Sequence, residues 1–280
     1  MLPKTVLDPI LRQALAEDIG PGDVTTEAIL KGDERGRACA IAKSDLVVAG
    51  GEVFREVFTL MDASLEVVLS RRDGDRARPG DSLAELNGRL DSILTAERTA
   101  LNFFQRLCGI ATLTRRFVEE IDGTGARILD TRKTAPGLRL LDKYAVRVGG
   151  GRNHRFALFD GVLIKDNHIA AAGGIAAAVA KVRQTVAHLV KIEVECKNAV
   201  EVGEALAAGA DAVMLDNMDL PAMREAVALV RGRVPLEASG NVTLANVRSV
   251  AETGVDFISV GALTHSVAAA DISLGIQQGT

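Results

Sequence analysis

Residues 149–155 read GGGRNHR, three glycines followed by Arg152, Asn153, His154 and Arg155, and Lys165 stands ten positions beyond Arg155. Glycine lets a backbone approach a ligand closely. Arginine pairs bidentately with carboxylate or phosphate, and lysine adds a point charge. With Arg132 and Lys133 a little upstream, these cations outnumber what one monocarboxylate needs, so a ligand with several negative groups is expected. The formal net charge of the chain is −4, so the cluster is a local concentration rather than part of a basic surface, which argues against general nucleic-acid binding. Two acids, Glu195 and Asp216, follow the cations. They suit acid/base work, stabilisation of a developing positive centre, or Mg²⁺ held through oxygen. SGN at 239–241 and VGALTHS at 260–266 are the loops expected to take phosphate on backbone N–H groups.

Chemistry at these positions requires elements that deliver them to one place. After residue 125 short apolar runs alternate with helical segments: ARILD before TRKT, GVLI before KDNH, VKIEV before ECKN, AVML before DNMD, VPLEA before SGN, FISV before GALTHS. The last four begin about 22 residues apart, the length of a strand, a helix and two tight loops. Repeated β-α units make a parallel sheet, and a curved set closes into a barrel with its functional residues just past the strand ends. An open doubly wound sheet is the alternative. The strand ends are Arg132, Lys133, Lys165, Asp166, His168, Glu195, Asp216, Asn217, Ser239, Gly240, Gly261 and His265. Glu193 shares the direction of Glu195 by alternation but lies deeper.

The N-terminal part reads differently. Residues 7–18 suit an amphipathic helix, DIGPGDVTTEAI (18–29) a turn and an extended entry, and residues 36–90 a small sheet of short strands. Residues 91–121 form a long helical stretch, with Gly109 expected to break it and Arg98 on the apolar face of Leu94 and Leu101. An arginine there needs an anion. Aromatics are only 3% of residues, so aliphatic side chains must fill the core, as in buried parallel strands under helices. The three cysteines, Cys39, Cys108 and Cys196, form no CxxC pair and read as reduced packing residues of a cytoplasmic protein. The first residues lack the apolar core of an export signal, and the run at 169–180 is too short to span a membrane.

Several segments together resemble one family. ERTALNFFQRLCGIAT (97–112), DTRKTAPGLRLLDKYAVRVGGGRNHRFALFDGVLIKDNHI (130–169), VMLDNM (213–218), LEASGNV (236–242) and FISVGALTHS (257–266) are similar to quinolinate phosphoribosyltransferase, over nearly the whole chain. The resemblance implies an N-terminal α/β sandwich over 1–104, joined by 270–280, and a type II phosphoribosyltransferase α/β barrel over 105–269. It implies transfer of phosphoribosyl from phosphoribosyl pyrophosphate to quinolinate with loss of CO₂, Mg²⁺ as cofactor, and a homodimer, with or without further assembly, in which Arg98 enters the partner's site. Substrate contacts carry over to Thr131, Arg132, Lys133, His154, Arg155 and Lys165. Glu195 and Asp216 fall on the ribose and metal, and Lys133, Glu195 and Asp216 are the catalytic positions. Ser239, Gly240, Asn241, Ser259, Val260 and Gly261 fall on the phosphate loops. The rivals are a molybdenum-transport-associated paralogue, a nicotinate phosphoribosyltransferase and a non-catalytic phosphoribosyl-ligand sensor. The intact DTRKT, ERTALN and IKDNH motifs weigh against the first, the cation count against the second, and retention of both acids against the third.

Overall fold

The computed structural model describes residues 2–277. The chain divides into two compact units: Met1–Leu113 with Ala135–Gly150 and Ser266–Thr280, and Thr114–Thr134 with Gly151–His265. The boundary falls inside a helix, and residues 135–150, expected within 105–269, group with the first unit.

In the first unit, α1 (Lys4–Ile19) and α2 (Val24–Ile29) precede β1 (Arg35–Ala42), β2 (Leu46–Val47), α3 (Gly51–Met61), β3 (Glu66–Leu69), β4 (Arg76–Ala77) and β5 (Ser82–Arg89). The helix α4 (Leu90–Glu120) follows, and α5 (Arg139–Val148) and β12 (Ile272–Gln277) return to this unit later. The main sheet is antiparallel in the order β12-β1-β5-β3, and β2 pairs with β4 separately. Residues 278–280 of the expected C-terminal segment lie outside the described residues.

Leu7, Leu11 and Leu15 of α1, Phe54 and Phe58 of α3, and Leu83 and Leu86 of β5 are buried. Phe54 sits with its ring centroid 5.0 Å from both Phe58 and Phe104. Arg106 makes a bidentate pair with the fully buried Asp142, at 2.9 and 2.8 Å, and so ties α5 to α4.

Three local expectations change. Residues 24–29 are helical, because Asp23 accepts the N–H groups of Thr25 and Thr26, and this cap outweighs the extended preference of two adjacent threonines. The helix α4 runs unbroken through Gly109. That glycine answers a close approach, since a Cβ there would lie 2.3 Å from the Ala268 carbonyl oxygen. The buried stripe of α4 is Ile93, Ala96, Ala100, Phe104 and Leu107, and Arg98 lies off it, exposed.

In the second unit β6 (Arg127–Leu129), β7 (Val162–Ile164), β8 (Ile192–Cys196), β9 (Ala212–Asp216), β10 (Leu236–Ser239) and β11 (Phe257–Ser259) form a parallel sheet in the order β6-β11-β10-β9-β8-β7. The connecting helices are α6 (Asp166–Ala172), α7 (Ile175–Thr185), α8 (Ala199–Ala207), α9 (Leu220–Val230), α10 (Val247–Ala251) and α11 (Ala262–His265). The sheet is barrel-like, and Arg152 bridges to Leu129 on the free side of β6. The Ala-rich run at 169–180 is two helices, parted by Gly173 and Gly174 at φ of 90° and 126°. Ile192, Val194 and Cys196 are buried on one side of β8, and the alternate residues Glu193 and Glu195 face the other way.

A Gly109→Ala substitution is expected to lower stability by about 1–3 kcal/mol, the usual range for overpacking, because a backbone carbonyl cannot swing aside as a side chain can. Urea unfolding of the purified variant checks this, and an unchanged midpoint would contradict it.

Candidate active site

Alternation along the strands sends one set of side chains into the interior of the second unit, and the strand register stacks them in layers. Asp216, Ser239 and Ser259 stand side by side at the ends of β9, β10 and β11. One layer deeper, Glu195, Met214 and Glu237 are register neighbours. The resulting cavity of about 970 Å³ is lined by Thr131, Arg132, Lys133, His154, Arg155, Lys165, Glu195, Asp216, Ser239, Gly240, Asn241, Ser259, Val260 and Gly261. Every substrate or metal contact that the family resemblance implies is among them except Arg98, which belongs to the first unit. Asn217 and His265 also line the cavity, with Leu163 and Met214 as apolar surface. Asp166 and His168 do not. Asp166 pairs with Lys197 at 3.1 Å, and the His168 ring accepts the Lys165 N–H at 3.0 Å, closing the start of α6.

The cations are held by local chemistry. Thr131 accepts the Lys133 N–H through its hydroxyl at 3.0 Å, and Thr264 donates to the Lys133 carbonyl at 2.7 Å. Gly261 lies under the Lys133 and His265 side chains, each 3.1 Å from where a Cβ would stand. Lys165 reaches Glu195 at 3.2 Å. Arg155 donates to the Gly161 carbonyl at 2.7 Å. Burial, and then the nearby positive charge of Arg132, push the Arg155 guanidinium below its ordinary value, the condition of a cation that lacks a full complement of negative charge.

Asp216 is fixed by its neighbour. Asn217 has φ of 53°, unusual for a residue with a side chain, and its amide donates to Asp216 at 2.9 Å. The same side chain accepts from Asn241 at 3.1 Å, and the Asn217 N–H donates to the Ser239 carbonyl at 2.9 Å. A Cβ on Gly240 would lie 2.2 Å from the Asn217 oxygen, so the glycine in this loop is what lets the two loops interlock.

Glu237 escaped the sequence reading. It lies on β10, two residues before Ser239, and the alternation that relates Glu193 to Glu195 would have pointed to it. Its side chain is buried, and burial, reinforced by Glu193, raises its pKa to about 8. His154, Glu193 and Glu237 form a compact group beneath the cations. Cys196 lies on the opposite side of β8, and burial raises its pKa to about 12, so it plays no nucleophilic part.

A parallel β/α barrel whose strand ends carry cations, paired acids and glycine loops is an enzyme scaffold for a polyanionic substrate. Two family models narrow that class: "Quinolinate phosphoribosyl transferase, N-terminal domain" matches residues 23–108, and "Quinolinate phosphoribosyl transferase, C-terminal domain" matches 110–275. The chain belongs to this family. It is 46% identical over 270 residues to a probable carboxylating nicotinate-nucleotide pyrophosphorylase of Bacillus subtilis, covering 96% of this chain and 93% of the relative. It is 47% identical to the chloroplastic carboxylating nicotinate-nucleotide pyrophosphorylase of Arabidopsis thaliana, covering 96% and 82%. The structure of the nicotinate-nucleotide pyrophosphorylase from Francisella tularensis superposes with a TM-score of 0.95 at 43% identity, covering 99% and 98% of the two chains.

Glu237 makes stability depend on pH in a defined direction. A carboxyl whose pKa is raised on folding contributes fully below its unfolded value near 4.5, and that contribution is lost as pH climbs through about 8. Glu237→Gln is therefore expected to flatten the fall in thermal stability between pH 5 and 8, read by scanning calorimetry. Parallel profiles for the two proteins would show that Glu237 ionises freely.

Proposed function

We propose that the chain transfers the phosphoribosyl group of phosphoribosyl pyrophosphate to quinolinate and releases CO₂ and pyrophosphate, giving nicotinate mononucleotide for NAD biosynthesis. The observation that carries this reading is one cavity holding Arg132, Lys133, Arg155 and Lys165 together with Glu195 and Asp216. The cations suit the two carboxylates of quinolinate and the phosphates of the donor. Names carried by the relatives point the same way and give no support to a transport-associated or sensory role.

Arg132, Arg155 and Lys165 bind and orient the dicarboxylate so that its ring nitrogen faces C1 of the ribose. Glu195 and Asp216 stabilise positive charge at C1 as pyrophosphate departs, and Lys133 takes part of the charge of the leaving group. The nitrogen attacks C1, and the resulting pyridinium ring accepts the electron pair left when the 2-carboxylate leaves as CO₂. Ser239, Gly240, Asn241, Ser259, Val260 and Gly261 form the loops for the 5-phosphate and pyrophosphate. Glu195 and Asp216 offer an all-oxygen donor set on neighbouring strands, which fits Mg²⁺. When bound, the ion supplies charge neutralisation for the pyrophosphate.

We also place Arg98 in the cavity of a partner subunit in a homodimer. Its exposure on α4 supports this assignment. The buried, unpaired cysteines suit a reducing compartment such as the cytoplasm. Among the described residues no helix is long and apolar enough to cross a membrane.

Incubation with phosphoribosyl pyrophosphate, Mg²⁺ and quinolinate labelled in its 2-carboxylate is expected to release labelled CO₂, and no release would sink the reading. Arg155→Ala is expected to raise the quinolinate KM roughly tenfold to a hundredfold, the equivalent of a lost charge-assisted hydrogen bond of about 1.5–3 kcal/mol. An unchanged KM would remove Arg155 from the site.

The shared site has its own test. Arg98→Ala and Lys165→Ala proteins, each inactive alone, are mixed and allowed to exchange subunits. In a mixed dimer one site carries both defects and the other neither, so activity returns to about half of wild type per mixed dimer. Verified mixed dimers that stay dead would assign Arg98 to its own subunit.

A further inference from the structure

His154 stands among the cations of the cavity, and its ring nitrogens show what it does there. Nδ1 accepts the backbone N–H of Arg155 at 2.7 Å. Nε2 lies 2.9 Å from Glu193 and 3.6 Å from Glu237. A ring nitrogen that accepts a hydrogen bond carries no proton, so the proton is on Nε2 and is donated to Glu193. The ring is neutral, and each nitrogen has a protein partner. A metal on His154, Glu193 and Glu237 would need the Nε2 lone pair while Nδ1 still accepts, which means an imidazolate, so the group is not built as a metal centre.

What the ring holds is backbone. Asp130, fully buried just past β6, accepts the His154 N–H at 2.9 Å and the Asn153 side-chain amide at 2.5 Å. The next N–H, that of Arg155, goes to the His154 ring, and Glu193 on β8 holds the ring. Successive peptide groups are thus tied to Asp130, just past β6, and through the ring to Glu193 of β8. Arg155 leaves this anchored segment with its guanidinium braced on the Gly161 carbonyl. The charged groups around the ring are Glu193 of β8, Glu237 of β10, Asp130 after β6 and Arg155 itself.

We propose that His154 is a positioning residue, a neutral ring protonated on Nε2 that bridges the Glu193 carboxylate to the Arg155 backbone and so sets the direction of Arg155, and that it makes no contact of its own with the substrate carboxylates. This deepens the proposed function, because it rests on Arg155 as the arginine that receives quinolinate.

The ring can be observed directly. In full-length protein with ¹⁵N-labelled histidine, the His154 signals are assigned by their loss in His154→Asn. Phthalate serves as the probe, a dicarboxylate of similar shape without the ring nitrogen. The expected spectrum has a pyridine-type Nδ1 and a pyrrole-type Nε2 between pH 6 and 8, with and without phthalate. An imidazolium, with both nitrogens protonated in the complex, overturns the proposal.

Kinetics give a second arm. His154→Ala is expected to raise the quinolinate KM on the order of tenfold, with a smaller effect on the KM of phosphoribosyl pyrophosphate. His154→Asn places a carbonyl oxygen where Nδ1 stood but has nothing at Nε2, so it is expected to recover the part of that loss that the Arg155 N–H carries. Equal impairment in both variants overturns the proposal, because a cationic contact with substrate would be missing from each. Failure of the underlying functional reading would appear separately, as an Arg155→Ala protein with unchanged quinolinate KM while the ring spectrum stays as expected.

Discussion

The site depends on keeping like charges together without water to separate them fully. Arg155 is half-buried beside Arg132, and both burial and that neighbour oppose its charge. Such an arrangement persists only where the surrounding structure over-determines it. Here the constraint is met from below, by backbone ties to Asp130 and by acids placed deeper in the sheet interior. It is met from the side by Glu195, which pairs with Lys165. The remaining deficit of negative charge is what a polyanionic ligand relieves. The same logic explains why the interior of this unit is not a purely aliphatic core: its inward layers alternate apolar Leu163 and Met214 with acids that offset the cations at the mouth.

Much of this was legible in the sequence because a β-α repeat converts spacing into geometry. Once strand ends are recognised, residues as distant in sequence as Lys133 and Gly261 become neighbours, and the Gly261 backbone does lie against the Lys133 side chain. Glu237 was missed because it is two residues short of a strand end, although alternation back from Ser239 points to it, and the register places it beside Met214 and near His154. His154 was read by type, as one more cation. Residue type alone says nothing of which nitrogen carries the proton, on which its partners on β8 and in its own backbone bear.

The misreadings in the first unit share a cause. Thr25 and Thr26 suggested an extended segment by propensity, and a single carboxylate cap reversed it. Gly109 suggested a helix break by propensity, and a carbonyl from residue 268 supplied a different reason for glycine. Arg98 was placed in an apolar stripe on two spacings alone, although the wider pattern of Ile93, Ala96, Ala100 and Phe104 excludes it. In each case a rule applied to a few residues was overruled by a feature it did not weigh: a cap, a carbonyl from a distant segment, and the wider helical pattern.

The sheet order β12-β1-β5-β3 has a consequence for synthesis. Residue Arg37 of β1 pairs with Gln277 of β12, so the partner of an early strand is made only after the whole parallel sheet has been translated. A contact that spans so much chain adds greatly to contact order and slows folding. While the ribosome works through the second unit, one edge of β1 stays open, and an open edge invites pairing with other chains. The charges along that strand, at Arg35 and Arg37, are then its protection during elongation, before they become part of a closed sheet.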